Sequence, residues 1–365
     1  MKFSKSLTAT AAMLALASTA QAQLKTDGLL EVYGRASLSV DQLDDGASYN
    51  RTNLSSNASR LGFRGSKKIG NLTGIWQIEQ EIQVNLGNSA TDTNNRLASR
   101  DTFAGIRGDF GTVRAGKFDT PFKVAREPFN LFGDQLGDMR NLTRVGDAKF
   151  DERLNNTLEY QTPVMNGFQA RLAHSFHSGT QAGIPATTGS NATAAIPDAK
   201  QDATSMSLGY KAGKLDATLA FETYGEDTAT TGKREATRAA ISYKVTPELR
   251  LVGFYQTADS KSGTKDESAD VTGVGVEYAA MPNVSLKAHY MDRNAKAANA
   301  DAKMYTLGAE YRYDKALRFY ANYGSLDNDS SIKLTPWKEG RTAAPSAGSN
   351  GKTTSGVSIG MRYDF

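Results

Sequence analysis

Residues Ser358 to Phe365 read SIGMRYDF, and the reading of these eight positions decides the fold. Ile359, Met361, Tyr363 and Phe365 fall on every second position, with Ser358, Gly360, Arg362 and Asp364 between them. A period of two belongs to a β-strand, whose side chains alternate between its faces. One face of this strand is apolar and the other polar, so the two faces meet different surroundings.

The same alternation recurs upstream. VYGRASLSV (32–40) sets Val32, Ala36, Leu38 and Val40 against Tyr33, Arg35, Ser37 and Ser39. SRLGFRGS (59–66) opposes Leu61 and Phe63 to Arg60 and Arg64. MYTLGAEYRYD (304–314) and LRFYANY (317–323) follow the same rule. Sixteen such segments can be traced, near 29–42, 59–69, 72–84, 100–109, 111–119, 155–163, 168–177 and 202–213 in the first half. The second half carries them near 214–225, 235–245, 249–259, 269–280, 284–294, 302–314, 317–327 and 355–365. Their lengths suit the roughly 9–11 residues with which a tilted strand crosses a bilayer.

The connections alternate too. Tight ones hold turn residues: KKIGN (67–71), GDFG (108–111), PVMNG (163–167), KAGK (211–214), VTPE (245–248) and YDKA (313–316). Long polar ones lie near 43–58, 85–99, 120–154, 178–201, 260–268 and 328–354. This alternation has the sidedness of an outer-membrane barrel, with brief periplasmic turns and longer outer loops. A soluble sandwich of sixteen strands would leave long exposed edges. Closure into a barrel satisfies every backbone group, as hydrocarbon demands. The reading is an all-β fold, a transmembrane antiparallel 16-stranded β-barrel, apolar face to lipid and polar face to a lumen. Tyr160, Tyr210, Tyr243, Tyr278, Tyr290 and Tyr313 suit interfacial girdles.

Composition agrees. With 39% hydrophobic residues, 34 glycines and no cysteine, a solid core or a disulfide scaffold is a poor fit. Lys2 and Lys5, an apolar run from Leu7 and the Ala20-Gln21-Ala22 site read as a secretory leader over 1–22, which leaves 23–365 as one barrel domain. Cleavage there would take the formal charge from +4 to +2, too near neutral to suggest nucleic acid.

Several stretches resemble the Gram-negative general porins: VYGRASLSV, SNASRLGFRGSKKIG (56–70), RDTFAGIRGDFGTVRAGKFDTPF (100–122), RLNNTLEYQTP (153–163) and the terminal MRYDF. The resemblance covers essentially the whole chain after residue 22 and implies a trimeric outer-membrane channel for passive diffusion of small hydrophilic solutes and ions. It implies a long third loop folded into the lumen, and a terminal strand, ending on Tyr363 and Phe365, that is read by the outer-membrane assembly machinery. It also implies a ladder of bases on the wall, at Arg35, Arg60 and Arg100. Alternation adds Arg64 and Arg114 as further inward candidates. Within the third loop, EPFNLFGDQLGD (127–138) carries Glu127, Asp134 and Asp138 without an intervening base. A short helical turn would bring Asp134 and Asp138 onto one face. Acids and bases on opposite walls would set a transverse field and a weak anion preference. The alternative is a channel selective for sugars or organic acids, and less favoured again is a barrel enzyme or adhesin.

Enzyme chemistry has little to stand on. His174, His177 and His289 are the three histidines, and no serine and orienting group are marked as partners. GVGVEY (273–278) sits in a strand pattern with no helix behind it, so it is no nucleotide loop. The acidic patch DQLDDG (41–46) could hold a divalent cation, with a solvated surface as the ordinary reading. No cofactor and no metal site is expected.

Overall fold

A computed structural model of the chain describes residues 25–26, 28–83, 99–144, 150–176, 202–225, 231–262, 265–343 and 345–365. The leader expected at 1–22, the connection 178–201, most of 85–99 and His177 lie outside the described residues.

Among the described residues sixteen strands form the wall. The first eight are β1 (Leu30–Asp44), β2 (Arg60–Ile69), β3 (Leu72–Glu81), β4 (Thr102–Gly108), β5 (Gly111–Asp119), β6 (Arg153–Gln161), β7 (Phe168–Ser175) and β8 (Ala203–Ala212). The rest are β9 (Leu215–Tyr224), β10 (Thr231–Lys244), β11 (Leu249–Ser262), β12 (Ala269–Met281), β13 (Val284–Ala295), β14 (Ala302–Arg312), β15 (Leu317–Asn328) and β16 (Thr354–Asp364). Each pairs antiparallel with its neighbour in sequence. β16 pairs in turn with β1, from Ser355 opposite Asp44 to Asp364 opposite Arg35, and the sheet closes on itself. Phe365 completes the seam: its N–H donates to the Gly34 carbonyl at 3.0 Å, and the Gly34 N–H donates to its carbonyl at 2.8 Å. The ring of Phe365 lies over Gly34, where a Cβ would come within 2.3 Å of it. The final aromatic is thus a seam residue.

Three short segments supplement the wall: Lys25–Thr26, Asn50–Ser56 and Lys265–Asp266. Asn50–Ser56 corrects the expected long connection at 43–58, because it pairs with the upper half of β1 where β2 does not reach. Its sequence NRTNLSS holds one apolar residue, Leu54, which faces outward, so the alternation that marks the other strands is missing. Between wall strands the turns are short, and at Asn166 (φ 50°) and Gly167 (φ 86°) they use the left-handed conformation that asparagine and glycine tolerate.

The barrel is apolar outside and mostly polar inside, apart from an apolar stripe on the inner wall at Phe254, Val271, Met291, Met304 and Leu326. Leu172, Leu219, Val274, Leu307 and Ile359 all look outward and are at least half exposed. Ser37, Ser39, Asp41, Glu79, Glu159, Arg238 and Thr306 are buried on the inner face. Among the described residues no helix is long and apolar enough to cross a membrane, so the strands carry the crossing.

Candidate functional site

Inside the barrel the described residues of the third long connection, 120–144 and 150–152, lie against the inner wall. It opens with a short helix α1 (Pro121–Val124), where Thr120 Oγ1 accepts the Lys123 N–H at 3.2 Å and Pro121 supplies a preset φ. A second turn, α2 (Arg140–Thr143), follows the loop tip. Apolar side chains of the loop dock on the wall: Phe129, Leu131, Phe132, Met139 and Leu142 pack with Phe254, Val271, Met291, Met304 and Leu326. The Phe129 ring stacks on His289 at 5.8 Å between centroids, and Phe132 meets the same ring edge-on at 4.8 Å. Glycines on the inner faces of β12, β14, β15 and β16 make room. A Cβ on Gly273 would sit 2.7 Å from Phe129, one on Gly308 2.7 Å from Phe132, and ones on Gly324 and Gly356 within 3.4 Å of Leu136.

Two polar devices complete the anchorage. At the loop's end Arg238 of β10, fully buried, donates to both Asp151 oxygens at 2.7 and 2.6 Å, and Arg126 adds a third contact at 2.9 Å. At its tip the last long connection, 329–353, reaches in beside it. The Pro336 carbonyl accepts the Gly137 N–H at 2.7 Å, the Glu339 N–H donates to Asn141 Oδ1 at 3.0 Å, and Arg144 pairs with Glu339 at 2.8 Å. Trp337 is buried against Leu43 and Leu136, and Arg341 pairs with Asp41 of β1.

Beside the loop lies a water-accessible chamber of about 610 Å³. Among the described residues twelve bases line it, Arg35, Arg60 and Arg100 among them, against six acids. Asp134, at φ +61°, marks the tip. Its carboxylate takes Arg140 at 2.7 Å and approaches Arg35 and Arg60 at 3.4 Å each. Burial would raise the Asp134 carboxyl, yet Arg140, Arg60, Arg35 and Arg100 outweigh it and hold the group well below the usual carboxylate range. Arg100 itself lies on Glu79 at 2.5 Å and Glu81 at 3.4 Å. At the loop root, burial brings the Lys123 ammonium down to about 8, with Arg153, Arg126 and Arg140 acting the same way against Asp119.

The residues singled out from sequence divide. Arg35, Arg60, Arg100, Glu127 and Asp134 line one chamber. Asp138 does not: it is fully buried, accepting from Arg140 Nε at 2.9 Å and from the Asp134 N–H at 2.7 Å. No helix spans Asp134 to Asp138, and Arg140 rather than helical spacing brings the two carboxylates together. Arg64 lies outside the chamber, held bidentate by Glu31 at 2.9 and 2.8 Å over the Tyr33 ring. Arg114 is also outside it, paired with Glu159 at 2.9 Å and stacked 4.0 Å from the Phe118 centroid. Asp134 contacts the wall arginines Arg35 and Arg60 directly. Tyr363 and Phe365 sit at the seam, with centroids 5.8 Å apart. Arg140, Arg238 and Arg341 escaped the sequence reading, although Arg140 follows the acidic segment directly in GDMR (137–140).

A closed sheet with an apolar exterior, a charged interior and a loop seated within it is a transmembrane channel. The chain matches the Gram-negative porin family over residues 8–331 and belongs to it. The Major outer membrane protein P.IA of Neisseria meningitidis serogroup C is 24% identical over 358 residues, covering 86% of this chain and 84% of that one. The serogroup B form of P.IA is 29% identical over 181 residues, and that match spans 44% of its length. Among solved structures, the anion-selective porin from Comamonas acidovorans superposes with a TM-score of 0.78 at 23% identity, covering 92% of this chain and 99% of that one. The protein is therefore a porin of the Gram-negative outer membrane, a multi-pass barrel forming a water-filled channel for passive diffusion of small hydrophilic solutes and ions, and not an enzyme.

Proposed function

We propose that Arg35, Arg60 and Arg100, set about Asp134 at the tip of the third loop, form the narrowest part of the channel and give it a weak anion preference. The observation that carries this reading is the excess of twelve bases over six acids along the chamber. Arginine keeps its charge in any surroundings, so the excess persists at working pH. A lumen of one dominant sign raises the local concentration of counter-ions. The anion-selective porin from Comamonas acidovorans, similar in fold, lends support. Arg64 and Arg114, each engaged by its own carboxylate, contribute background potential, and Asp138 positions Arg140.

On the resemblance to trimeric general porins, three barrels make one particle in outer-membrane lipid. Residues 1–22 serve as the export leader, and Tyr363 and Phe365 are presented to the assembly machinery before the seam closes. The test is planar-bilayer recording. A salt gradient across the wild-type channel yields a reversal potential of the sign for anion preference, and conductance appears in steps of three. The double variant Arg60→Gln, Arg100→Gln shifts that potential toward the cation side. An unchanged potential refutes the assignment.

A further inference from the structure

On the periplasmic side of the docked loop, three arginines stand in register on three adjacent strands. Arg318 of β15 is directly opposite Arg312 of β14 on one side and Arg362 of β16 on the other. Like charges directly opposite in a sheet are destabilising, so such a row is costly unless something compensates it. The compensation present is incomplete. Glu310 takes Lys287 at 2.8 Å and Arg312 at 3.4 Å, and Asp364 takes Arg35 at 2.8 Å and Arg362 at 2.7 Å. Arg318 is left in the middle. It approaches Glu310 at 3.7 Å and Asp364 at 3.6 Å, both beyond hydrogen-bonding distance, and its Nε is buried without a hydrogen-bond partner. Five bases thus share two carboxylates.

We infer that Arg318 and Arg362 form a second anion subsite, below the narrow part of the channel, that holds a small multivalent oxyanion with paired oxygens. The guanidinium fork of Arg318 offers two parallel N–H donors, which match a carboxylate or phosphate edge. Arg362 lies beside it, and both line the same chamber as Arg35 and Arg60. The loop meets β15 at Asn322 through Gln135, four residues from Arg318 toward the outer end. Arg35 links the two sets, reaching Asp134 at 3.4 Å and Asp364 at 2.8 Å, so the Arg318 cluster adjoins the narrowing on its inner side. An anion leaving the arginines around Asp134 therefore meets a second set of donors before the exit. Two adjoining sets of donors allow a multivalent anion to be handed on while remaining paired. Monovalent chloride gains little from the fork, so the subsite separates anions by valence where the narrowing separates ions by sign.

The inference rests on the channel reading of the chamber and is tested apart from it. The purified full-length protein is reconstituted in planar bilayers in potassium chloride, and inorganic pyrophosphate or succinate is added on the side of the short turns. Concentration-dependent block of the wild-type current by either compound supports the subsite, and which one blocks tells phosphate from carboxylate as the preferred chemistry. Arg318→Gln is expected to raise the half-blocking concentration about tenfold, the loss of a charged hydrogen-bonding pair. Arg318→Lys keeps the charge without the fork and is expected to restore the chloride preference of the wild type but not its block. Absence of block in the wild type, or equal block of wild type and Arg318→Gln, overturns the subsite. A reversal potential that ignores Arg60 and Arg100 while block still depends on Arg318 overturns the narrowing and leaves the subsite standing.

Discussion

The buried pair of Asp151 and Arg238 makes the position of the third loop a measurable quantity. Arg238 is fully buried, stacks 4.1 Å from the Phe122 centroid, and donates to Gln256 at 3.0 Å as well as to both Asp151 oxygens. Asp151→Asn removes the charge that two arginines share and leaves Arg238 ionised without its counter-ion. Breaking one side of a buried pair costs roughly 3–5 kcal/mol. The wall is held by strand ladders that do not involve Asp151, so the cost falls on docking of the loop. A change of that size multiplies the undocked population by roughly a hundredfold to several thousandfold. Single-channel recording is the assay: Asp151→Asn should flicker between the wild-type level and a larger one, and trypsin should cut at Arg126 or Arg144 more readily. The triple variant Asp151→Leu, Arg126→Met, Arg238→Met should recover most of the steady conductance, because apolar side chains of similar volume carry no desolvation cost and neither arginine is left without its counter-ion. Wild-type noise and protease resistance in Asp151→Asn would mean that the pair does not anchor the loop.

Other outcomes follow from single contacts. Lys123 loses its proton near pH 8. The chamber is one charge more positive below that pH than above it, so anion preference should fall as pH rises through about 8 in reversal-potential measurements. Lys123→Met should abolish the step. On the lipid face Leu219, 54% exposed at the middle of β9, tests the orientation of the wall. Leu219→Arg should cost roughly 2–4 kcal/mol of stability in bilayers, measured by urea titration of folded protein, whereas a wetted surface would tolerate it.

The alternation of apolar and polar positions exposed most of the fold, because a barrel in lipid writes its two environments directly into a period of two. It fell short where the alternation lapses. Asn50–Ser56 is almost wholly polar, and its pairing with β1 depends on how far β2 extends, which is a tertiary matter. The site was legible only as a set of charge types on an inner face. Arg35 and Arg60 share a chamber with Asp134 because β1 and β2 place them opposite each other in register. Arg64 lies four residues from Arg60 on the same face, but Glu31 is in register with it and captures it. Nothing in EPFNLFGDQLGD announces that Asp138 turns inward to Arg140, since a left-handed Asp134 breaks the helical spacing from which the two acids were paired.

The glycines of the inner wall show how a chain short of core material still fixes a loop in space. A β-sheet gains nothing from glycine within its strands, which lack side chains to pack and are entropically weak. At Gly308 the loss is offset by contact: the Phe132 ring occupies the space that any side chain would need. A Cβ there would meet Asn322 Oδ1 at 2.3 Å and Phe132 Cε1 at 2.7 Å, and Asn322 is itself the donor to Gln135 of the loop. Gly308→Val therefore strikes the apolar and polar anchors at once. Leu307 and Ala309 on either side face lipid, so the lipid surface is untouched. Valine suits a strand better than glycine does, so the wall should be as stable as the wild type or slightly more so. The two effects have opposite signs and separate readouts. Resistance of the folded barrel to heat in detergent should hold or rise, while single-channel conductance increases as the loop is lifted from the wall. If conductance stays at the wild-type value in a barrel of undiminished stability, the loop is held by its ends alone, and the glycine stripe is incidental to the channel.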